Sequence, residues 1–206
     1  MDSECSKYIA NNIDLLFDDL YHPNPNINNQ ATLSLIKYFP IESIDRLICN
    51  LEAKDLNIRR KSVNAISLFG SKAVSKLFEL FFSGLTIEIK ITCLKAFVLI
   101  ASRNSEDILI KDLDKVIQYC MSAQDPVIIL TFVSLLRQLG DKGLPYLIIL
   151  SQDNNILKAK AAITALGEIK NKKAEICLSE ISRDMSKDQI IIEGALEALK
   201  IISHRM

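Results

Sequence analysis

The sequence predicts an all-α fold, an α-solenoid (α/α superhelix) of about six helix pairs, in a single domain that spans residues 1–206. Three observations support this prediction: a frame of residues that recurs along the chain, apolar residues at helical spacing, and a low content of turn-forming residues. The chain has 6 glycines and 5 prolines, which is few for a turn-rich β protein. Apolar residues make up 49% of the chain, which is ample for a core.

The recurring frame is clearest from Asp55 to Gly70, which reads DLNIRRKSVNAISLFG. Residues from Ile58 to Phe69 recur at spacings of three and four, so they share one face of a helix. We expect Asn57 to cap the start of this helix and Gly70 to end it in a left-handed conformation. The frame returns at Asp125–Gly140 and, one residue shorter, at Asp153–Gly167.

The hydrophobic pattern divides the chain into six consecutive helix pairs separated by polar turns. The predicted helices are Tyr8–Leu20 with Ile27–Tyr38, Ile41–Leu51 with Ile58–Phe69, Ser71–Phe82 with Ile87–Ala101, Ile108–Met121 with Val127–Leu139, Gly143–Leu150 with Ile156–Ile169, and Lys172–Ser182 with Gln189–His204. The turn landmarks Asn26, Asn57, Thr86, Pro126, Asn154 and Asp188 are about 28 to 40 residues apart, as in helical repeat proteins. A compact helical bundle is the alternative, but it does not explain the recurring frame.

Charge and composition narrow the range of functions. The 25 basic and 25 acidic residues give a net charge of zero, and the chain has no tryptophan, so we expect no nucleic-acid binding. The chain has only two histidines and no His-Glu dipeptide, so we expect no metal. Five separated cysteines without a CxxC pair predict reduced thiols and a cytoplasmic location. We expect neither a signal peptide nor a membrane span.

Several stretches carry a family resemblance. The frame of residues 55–70 resembles the short HEAT-like repeat of phycobilisome-associated proteins. Residues 13–27 (IDLLFDDLYHPNPNI) are similar to the opening repeat of bilin lyase subunits, and residues 44–48 (IDRLI) and 59–66 (RRKSVNAI) are similar to their second repeat. The third and fourth repeats, at residues 87–90 and 127–130, depart from the pattern because the usual Arg after the β-branched residue is missing.

The resemblance to this HEAT-like repeat phycobilin lyase family implies a function. Its members act on the thioether between a linear tetrapyrrole (bilin) and a phycobiliprotein cysteine, often as two-subunit complexes, and some serve as chaperones for the apoprotein. The resemblance implies that this chain is a bilin lyase subunit or a chaperone-like partner of a lyase, which acts in phycobilisome maturation and so serves photosynthesis. The bilin would be a substrate, not a permanent cofactor, and the partners a phycobiliprotein subunit and a companion HEAT-repeat lyase subunit. Attachment, detachment and chaperoning remain open, and so does a non-enzymatic HEAT-repeat scaffold that binds a protein partner.

Cations on the second helices are candidates for binding the two bilin propionates. Arg59, Arg60 and Lys61 lie in the first turn of their helix, where the macrodipole disfavours positive charge, so we expect them to have anionic partners. Those partners are either a carboxylate ligand or a ladder to Asp45, Glu52 or Asp55. Asn64 lies one turn beyond Arg60 on the same face. The equivalent helices carry Lys90, Lys95 and Lys158, which either extend a basic strip or are simply solvated.

Tyr21 and His22 lie in the first turn and form a second candidate group. A flat tetrapyrrole can stack on such rings, and His22 can exchange a proton near neutral pH. The alternative is that Tyr21 packs against the next turn and His22 is exposed. We expect no catalytic thiol, because Cys49, Cys93, Cys120 and Cys177 lie among apolar neighbours where thiols are inert. The catalytic residue stays unknown.

A third candidate is a protein-docking surface. The segment 127–133 is apolar on nearly every side, and so is the segment 144–150. A helix of this kind is either central in a stack or covered by a partner. The predicted docking residues are Ile128, Ile129, Phe132 and Tyr146, with an over-apolar core as the equal alternative.

Overall fold

The protein is described by a computed structural model that covers residues 12–204, and this range contains helices and no strand. The helices are α1 (Ile13–Leu20), α2 (Pro25–Tyr38), α3 (Pro40–Asn50), α4 (Leu56–Ser67), α5 (Ser71–Ser83), α6 (Ile87–Arg103), α7 (Ile110–Ser122), α8 (Pro126–Gln138), α9 (Leu144–Ser151), α10 (Ile156–Glu168), α11 (Lys172–Arg183) and α12 (Gln189–Ser203). Short 3₁₀ turns lie at Ser105–Asp107 and Gly140–Lys142. The start of the first predicted helix, at Tyr8, lies outside the described residues.

Within each unit, neighbouring helices pack against one another, and helices of successive pairs also pack together. In the second half of the chain, α9 packs on α10 and α11 on α12, while α8, α10 and α12 form one row and α9 and α11 the other. In the first half, α1 packs on α2, α3 on α4, and α3 on α5. This is the stacked-pair arrangement of an α-solenoid, so the predicted fold class is confirmed.

The chain forms two compact units that meet within α6. Unit 1 extends to Ile100, and unit 2 begins at Ala101. Each unit has its own apolar core, with Phe17, Phe81 and Phe97 fully buried in unit 1 and Phe132 in unit 2. The prediction of one domain over residues 1–206 stays a prediction.

The second helix of each pair follows one register counted from the residue that precedes it. The side chain at this position accepts first-turn amide hydrogen bonds at Asn24, Asp55, Asp125, Asn155 and Asp188, and the Thr86 hydroxyl accepts one from Ile89. The seventh residue after it is buried in all six helices: Ala31, Ser62, Cys93, Phe132, Ala162 and Ala195. The fifth, ninth and thirteenth residues lie on the opposite side of a 3.6-residue helix and are exposed or half-buried throughout.

The true caps correct one prediction. Asp55, not Asn57, caps α4, and its carboxylate accepts from the amides of Asn57 at 2.7 Å and Ile58 at 3.3 Å. Asn57 is one of the helical residues whose amide is capped. Two cap-forming residues two positions apart were equally compatible with the pattern, and the backbone selects the first because Leu56 already has helical geometry.

The glycines that close the recurring frame have two different roles. Gly70 and Gly140 have positive φ angles of 57°, as expected for glycines that end a helix. Gly70 has ψ −135°, so it adopts a glycine-favoured turn conformation outside the left-handed helical region. Gly167 does not end a helix, because it lies inside α10. A Cβ at Gly167 would lie 2.7 Å from Ala198 Cβ, so this glycine allows α12 to approach α10 closely.

Candidate functional site

Tyr21 joins the first turn to the next helix pair. Its hydroxyl accepts a hydrogen bond from Asn50 Nδ2 at 2.6 Å and lies 3.0 Å from Ser62 Oγ. Ser62 is fully buried on α4, so the Tyr21 hydroxyl satisfies a polar atom in the core. Tyr21 therefore packs between repeats, as the structural alternative for this residue predicted.

Lys61 is the second link between this turn and α4. Its Nζ donates to the carbonyl oxygens of Tyr21 at 2.9 Å and His22 at 2.6 Å. These carbonyls follow the C-terminal end of α1, where the helix dipole favours a cation. The contact also places His22, which is exposed, beside α4.

Arg59 folds back onto its own loop. Its Nη1 donates to the carbonyls of Ala53 at 2.6 Å and Lys54 at 3.3 Å, which follow the end of α3. The predicted ladder to Asp45, Glu52 or Asp55 is therefore wrong for Arg59 and Lys61, because backbone carbonyls occupy both cations. Asp45 instead pairs with Lys76 across 3.4 Å.

Lys90 and Lys158 bind helix ends in the same way. Lys90 Nζ donates to Phe81 O at 2.6 Å near the end of α5 and lies over the Phe81 ring. Lys158, only 3% exposed, donates to Met121 O at 2.6 Å near the end of α7 and lies 3.7 Å from Asp153 Oδ2. The predicted basic strip is wrong for these two lysines, because both ammonium groups are held by the fold.

The predicted binding residues that stay exposed are His22, Arg60, Asn64 and Lys95. Arg60 and Asn64 lie one turn apart on α4, and Lys95 has on α6 the register position that Asn64 has on α4. Lys37 has an outward position on α2, with its Nζ over the Tyr38 ring. We call Lys37, Arg60, Asn64 and Lys95 the cationic face, because the fifth, ninth and thirteenth register positions of unit 1 include three cations and no carboxylate.

The second helices of unit 2 carry a different outward surface. It contains Val127 and Leu130 on α8, Leu157 and Ala161 on α10, and Ile190 and Gly194 on α12, and we call these six residues the apolar face. Leu130 is 50% exposed and Ile190 is 41% exposed. Because α10 packs against both α8 and α12, the three helices present adjoining surfaces.

Three of the four predicted docking residues are buried. Ile128, Ile129 and Phe132 are at most 2% exposed and form part of the unit 2 core, which supports the core alternative. Tyr146 is half-buried on α9, the first helix of its pair. The register explains the correction, because the exposed side of α8 carries Val127 and Leu130 instead.

Unit 2 also has two surface concavities that the sequence did not indicate. One of about 630 Å³ lies between the starts of α9 and α11 and is lined by Pro145, Ile148 and Ile149, with Lys173 among the polar residues. The other, of about 260 Å³, lies between the end of α10 and the start of α11, near Ile169, Lys170 and Ile202. Both form where turns from successive pairs meet, so no local sequence pattern marks them.

The described cysteines include two that are poor nucleophiles. Burial raises the pKa of the Cys93 thiol to about 12, and burial does the same for Cys120. A thiol with such a pKa stays protonated near neutral pH. Cys177 is buried near the Ser151 hydroxyl, whereas Cys49 is exposed, contrary to the expectation that it lies among apolar neighbours.

Two further properties concern the described part of the chain. Residues 12–204 contain no group of three or more His, Cys, Asp or Glu side chains placed to hold a metal ion. Within the same range, every helix is too short or too polar to cross a membrane.

No protein-family model matches the chain. The chain is 22% identical over 188 residues to the "uncharacterized phycocyanin operon protein Z" of Pseudanabaena tenuis, covering 91% of this chain and 93% of that protein. It is 24% identical over 174 residues to the "bilin biosynthesis protein CpeZ" of a Synechococcus species, covering 82% of this chain and 93% of that protein. The predicted resemblance is thus confirmed at low identity and along most of the chain.

Solved helical-repeat structures are also similar to the chain. A designed armadillo repeat protein is 15% identical and matches 93% of this chain and 100% of its own, with a TM-score of 0.47. A related design solved with the peptide (KR)4 is 15% identical, with the same coverage and a TM-score of 0.48.

Proposed function

We propose that this protein acts in the biosynthesis of phycobilin-carrying proteins, as a bilin lyase subunit or as a chaperone-like partner of a lyase. The observation that carries the proposal is the similarity to a bilin biosynthesis protein over 82% of this chain and 93% of that relative. Similarity over such a length concerns the whole repeat array and extends well beyond one shared repeat.

The cationic face supports a role in binding pigment. A bilin carries two propionates, and Arg60 presents a guanidinium that can bind a carboxylate through two parallel hydrogen bonds. Within residues 12–204, the Arg60 side chain has no hydrogen-bond or ion-pair partner, so it is available to a ligand. Asn64 adds an amide one turn away, and the exposed His22 ring lies beside the same helix.

The reaction in this proposal is the addition of an acceptor thiol to the ethylidene group of the bilin, or its reverse. The acceptor phycobiliprotein supplies the sulfur, and burial keeps the thiols of Cys93 and Cys120 protonated, so these two do not compete with it. The protein contributes orientation, which lowers the entropic part of the barrier. We assign no catalytic residue.

Pigment binding tests the proposal directly. The purified protein is titrated with a bilin, and the absorbance change gives the affinity of wild type and of the double variant Arg60→Gln/Lys95→Gln. We expect the affinity of the variant to fall at least about tenfold, since each lost charge-assisted hydrogen bond contributes roughly 1.5–3 kcal/mol. Lys72→Gln, an exposed cation on α5, is the matched control and leaves the affinity unchanged.

Product formation separates the two roles. The protein is incubated with a bilin and an apo-phycobiliprotein subunit, alone and with a companion lyase subunit, and the mass of the acceptor is measured. A covalent adduct that depends on this protein supports the lyase role. Binding of the apoprotein without pigment affinity supports the chaperone-like role. Binding of neither pigment nor apoprotein rejects the proposal.

A further inference from the structure

A glycine in the middle of α12 is not explained by the fold. Gly194 has no positive φ angle. A Cβ built on it would meet only Ile163 Cγ2, at 3.7 Å, which is an ordinary van der Waals contact. Glycine in a helix interior lowers the stability of the helix relative to alanine, and no close packing at this position compensates for the loss.

Gly167 shows the contrast within the same pair of helices. There, a Cβ would lie 2.7 Å from Ala198 Cβ and 3.0 Å from Ala198 Cα, so α10 and α12 need the glycine to pack. Gly194 is half-buried beside α10, and alanine fits there without displacing any neighbour. No described neighbour requires a glycine here, and the missing side chain leaves room for a molecule that approaches from outside.

The surroundings of Gly194 indicate what approaches. Ala161 has the equivalent position on α10, so small side chains leave the backbones of these two helices close to the surface. Ile190 and Leu130, which are about half exposed, supply apolar contact area on either side. A partner helix can therefore approach the backbone of α12 closely and bury its own apolar side chains against the larger residues.

Charge defines the partner further. Glu193 and Glu197 flank Gly194 on α12, and neither forms an ion pair with a described residue, although Gln189 Nε2 donates to Glu193 Oε1 at 2.9 Å. Glu168 is already paired with Arg137, and Lys160 is the exposed cation on this side of α10. Within one turn of Gly194, the charged side chains of α12 are therefore acidic, and the exposed Lys200 lies one turn beyond Glu197.

We infer that the apolar face is a docking site for an amphipathic helix of a partner protein whose apolar stripe is flanked by Lys or Arg. The helix crosses α12 at Gly194, with its cations opposite Glu193 and Glu197. This inference goes beyond the proposed function and does not depend on pigment binding, which concerns residues of unit 1.

The probe for the test is a labelled synthetic amphipathic helix of about 20 residues with a leucine stripe and lysine flanks. A second peptide has the same leucines and glutamate flanks. Fluorescence anisotropy is expected to show binding of the lysine peptide and at least about tenfold weaker binding of the glutamate peptide. Equal affinities, or no binding of either peptide, overturn the inference.

Variants locate the site. Gly194→Leu and Glu197→Lys are each expected to weaken binding of the lysine peptide about tenfold or more, a loss typical of a central interface residue. Gly194→Ala raises the melting temperature of the free protein and still weakens binding, an outcome that misfolding cannot produce. Ile149→Gln, at an exposed isoleucine on α9, is the control and retains full affinity.

Three results contradict this location. They are full affinity in Gly194→Leu, an equal loss in Ile149→Gln, and a dimer in sedimentation that Gly194→Leu abolishes. The last result identifies a second copy of this chain as the occupant instead of a basic partner helix.

Discussion

The second helices of unit 1 and unit 2 share a register but present opposite surfaces. The fifth residue after the cap is the exposed Arg60 on α4, whereas it is the exposed Leu130 on α8. The seventh residue, in contrast, is buried in both units. The scaffold therefore constrains the inward positions and leaves the outward ones free, so the outward residues carry the information about ligands.

The lysines of the two units teach the complementary lesson. Lys61 and Lys90 in unit 1 and Lys158 in unit 2 all bind carbonyls near the end of an earlier helix. These cations belong to the scaffold although they resemble surface charges in the sequence. A comparison of the exposed surfaces of unit 1 and unit 2 must therefore leave these three lysines out.

Replacement of Lys158 is expected to have the largest effect on stability. Lys158→Met leaves Met121 O without its donor and Asp153 without its ion-pair partner, so the free energy of unfolding should fall by about 3 kcal/mol. Lys160→Met, two residues away and exposed, should change it by less than about 0.5 kcal/mol. Urea denaturation measures both, and equal effects would show that Lys158 is an ordinary surface cation.

The two glycines of unit 2 should respond in opposite directions to alanine. Gly167→Ala introduces a Cβ into the contact with Ala198 and should destabilise the protein by about 1–3 kcal/mol. Gly194→Ala should stabilise it by about 0.5–1 kcal/mol through helix propensity alone. Thermal unfolding of both variants checks this, and destabilisation by Gly194→Ala would mean that internal packing requires the glycine.

Tyr21→Phe tests whether the first turn of unit 1 is structural. The substitution removes the hydroxyl that contacts Asn50 and buried Ser62, so we expect a loss of about 1–2 kcal/mol. Bilin affinity should not change, since the phenyl ring remains. Chemical denaturation and pigment titration of one sample distinguish the two roles, and reduced affinity at full stability would restore Tyr21 to the binding site.

The smallest expected effects concern the reactivity of the cysteine thiols and their contribution to stability at alkaline pH. At pH 8 a thiol reagent should modify Cys49 rapidly in the folded protein, and Cys93 and Cys120 only upon unfolding, because burial raises the pKa of both thiols to about 12.

The protonated thiols stabilise the fold fully below the unfolded pKa of 9.0, and this contribution is lost as the pH rises from 9.0 toward about 12. Cys120→Ala should reduce that alkaline loss, and rapid labelling of Cys120 in the native state would contradict the burial.

The sequence predicted the helices well because most of them have an apolar stripe with one period. Every described helix lies within a few residues of its predicted range. The caps were less certain, because polar residues two positions apart, such as Asp55 and Asn57, satisfy the same pattern. Gly167 lies inside the helix predicted at Ile156–Ile169, but the sequence does not reveal its contact with α12, because a helix end and a close helix contact both select glycine.

The candidate sites were harder to predict for a different reason. Lys61 and Lys158 bind carbonyls 40 and 37 residues earlier, and no local pattern reveals a partner at that distance. Arg60, Asn64 and Lys95 make no such contact and are exposed. Their exposure can be established only from the structure. The sequence identifies residues 127–133 as apolar, but the register of α8 determines which side of the segment is exposed.

The bond from Lys61 to the first turn sets an order of events during synthesis. Ribosomes add about 5–20 residues per second, so Lys61 emerges roughly two to eight seconds after Tyr21, 40 residues earlier. During that interval the Tyr21 carbonyl lacks the ammonium group that binds it in the folded protein. The hairpin of α1 and α2 in a nascent chain therefore acquires its last contacts only when α4 has been made, although α1 and α2 precede α4.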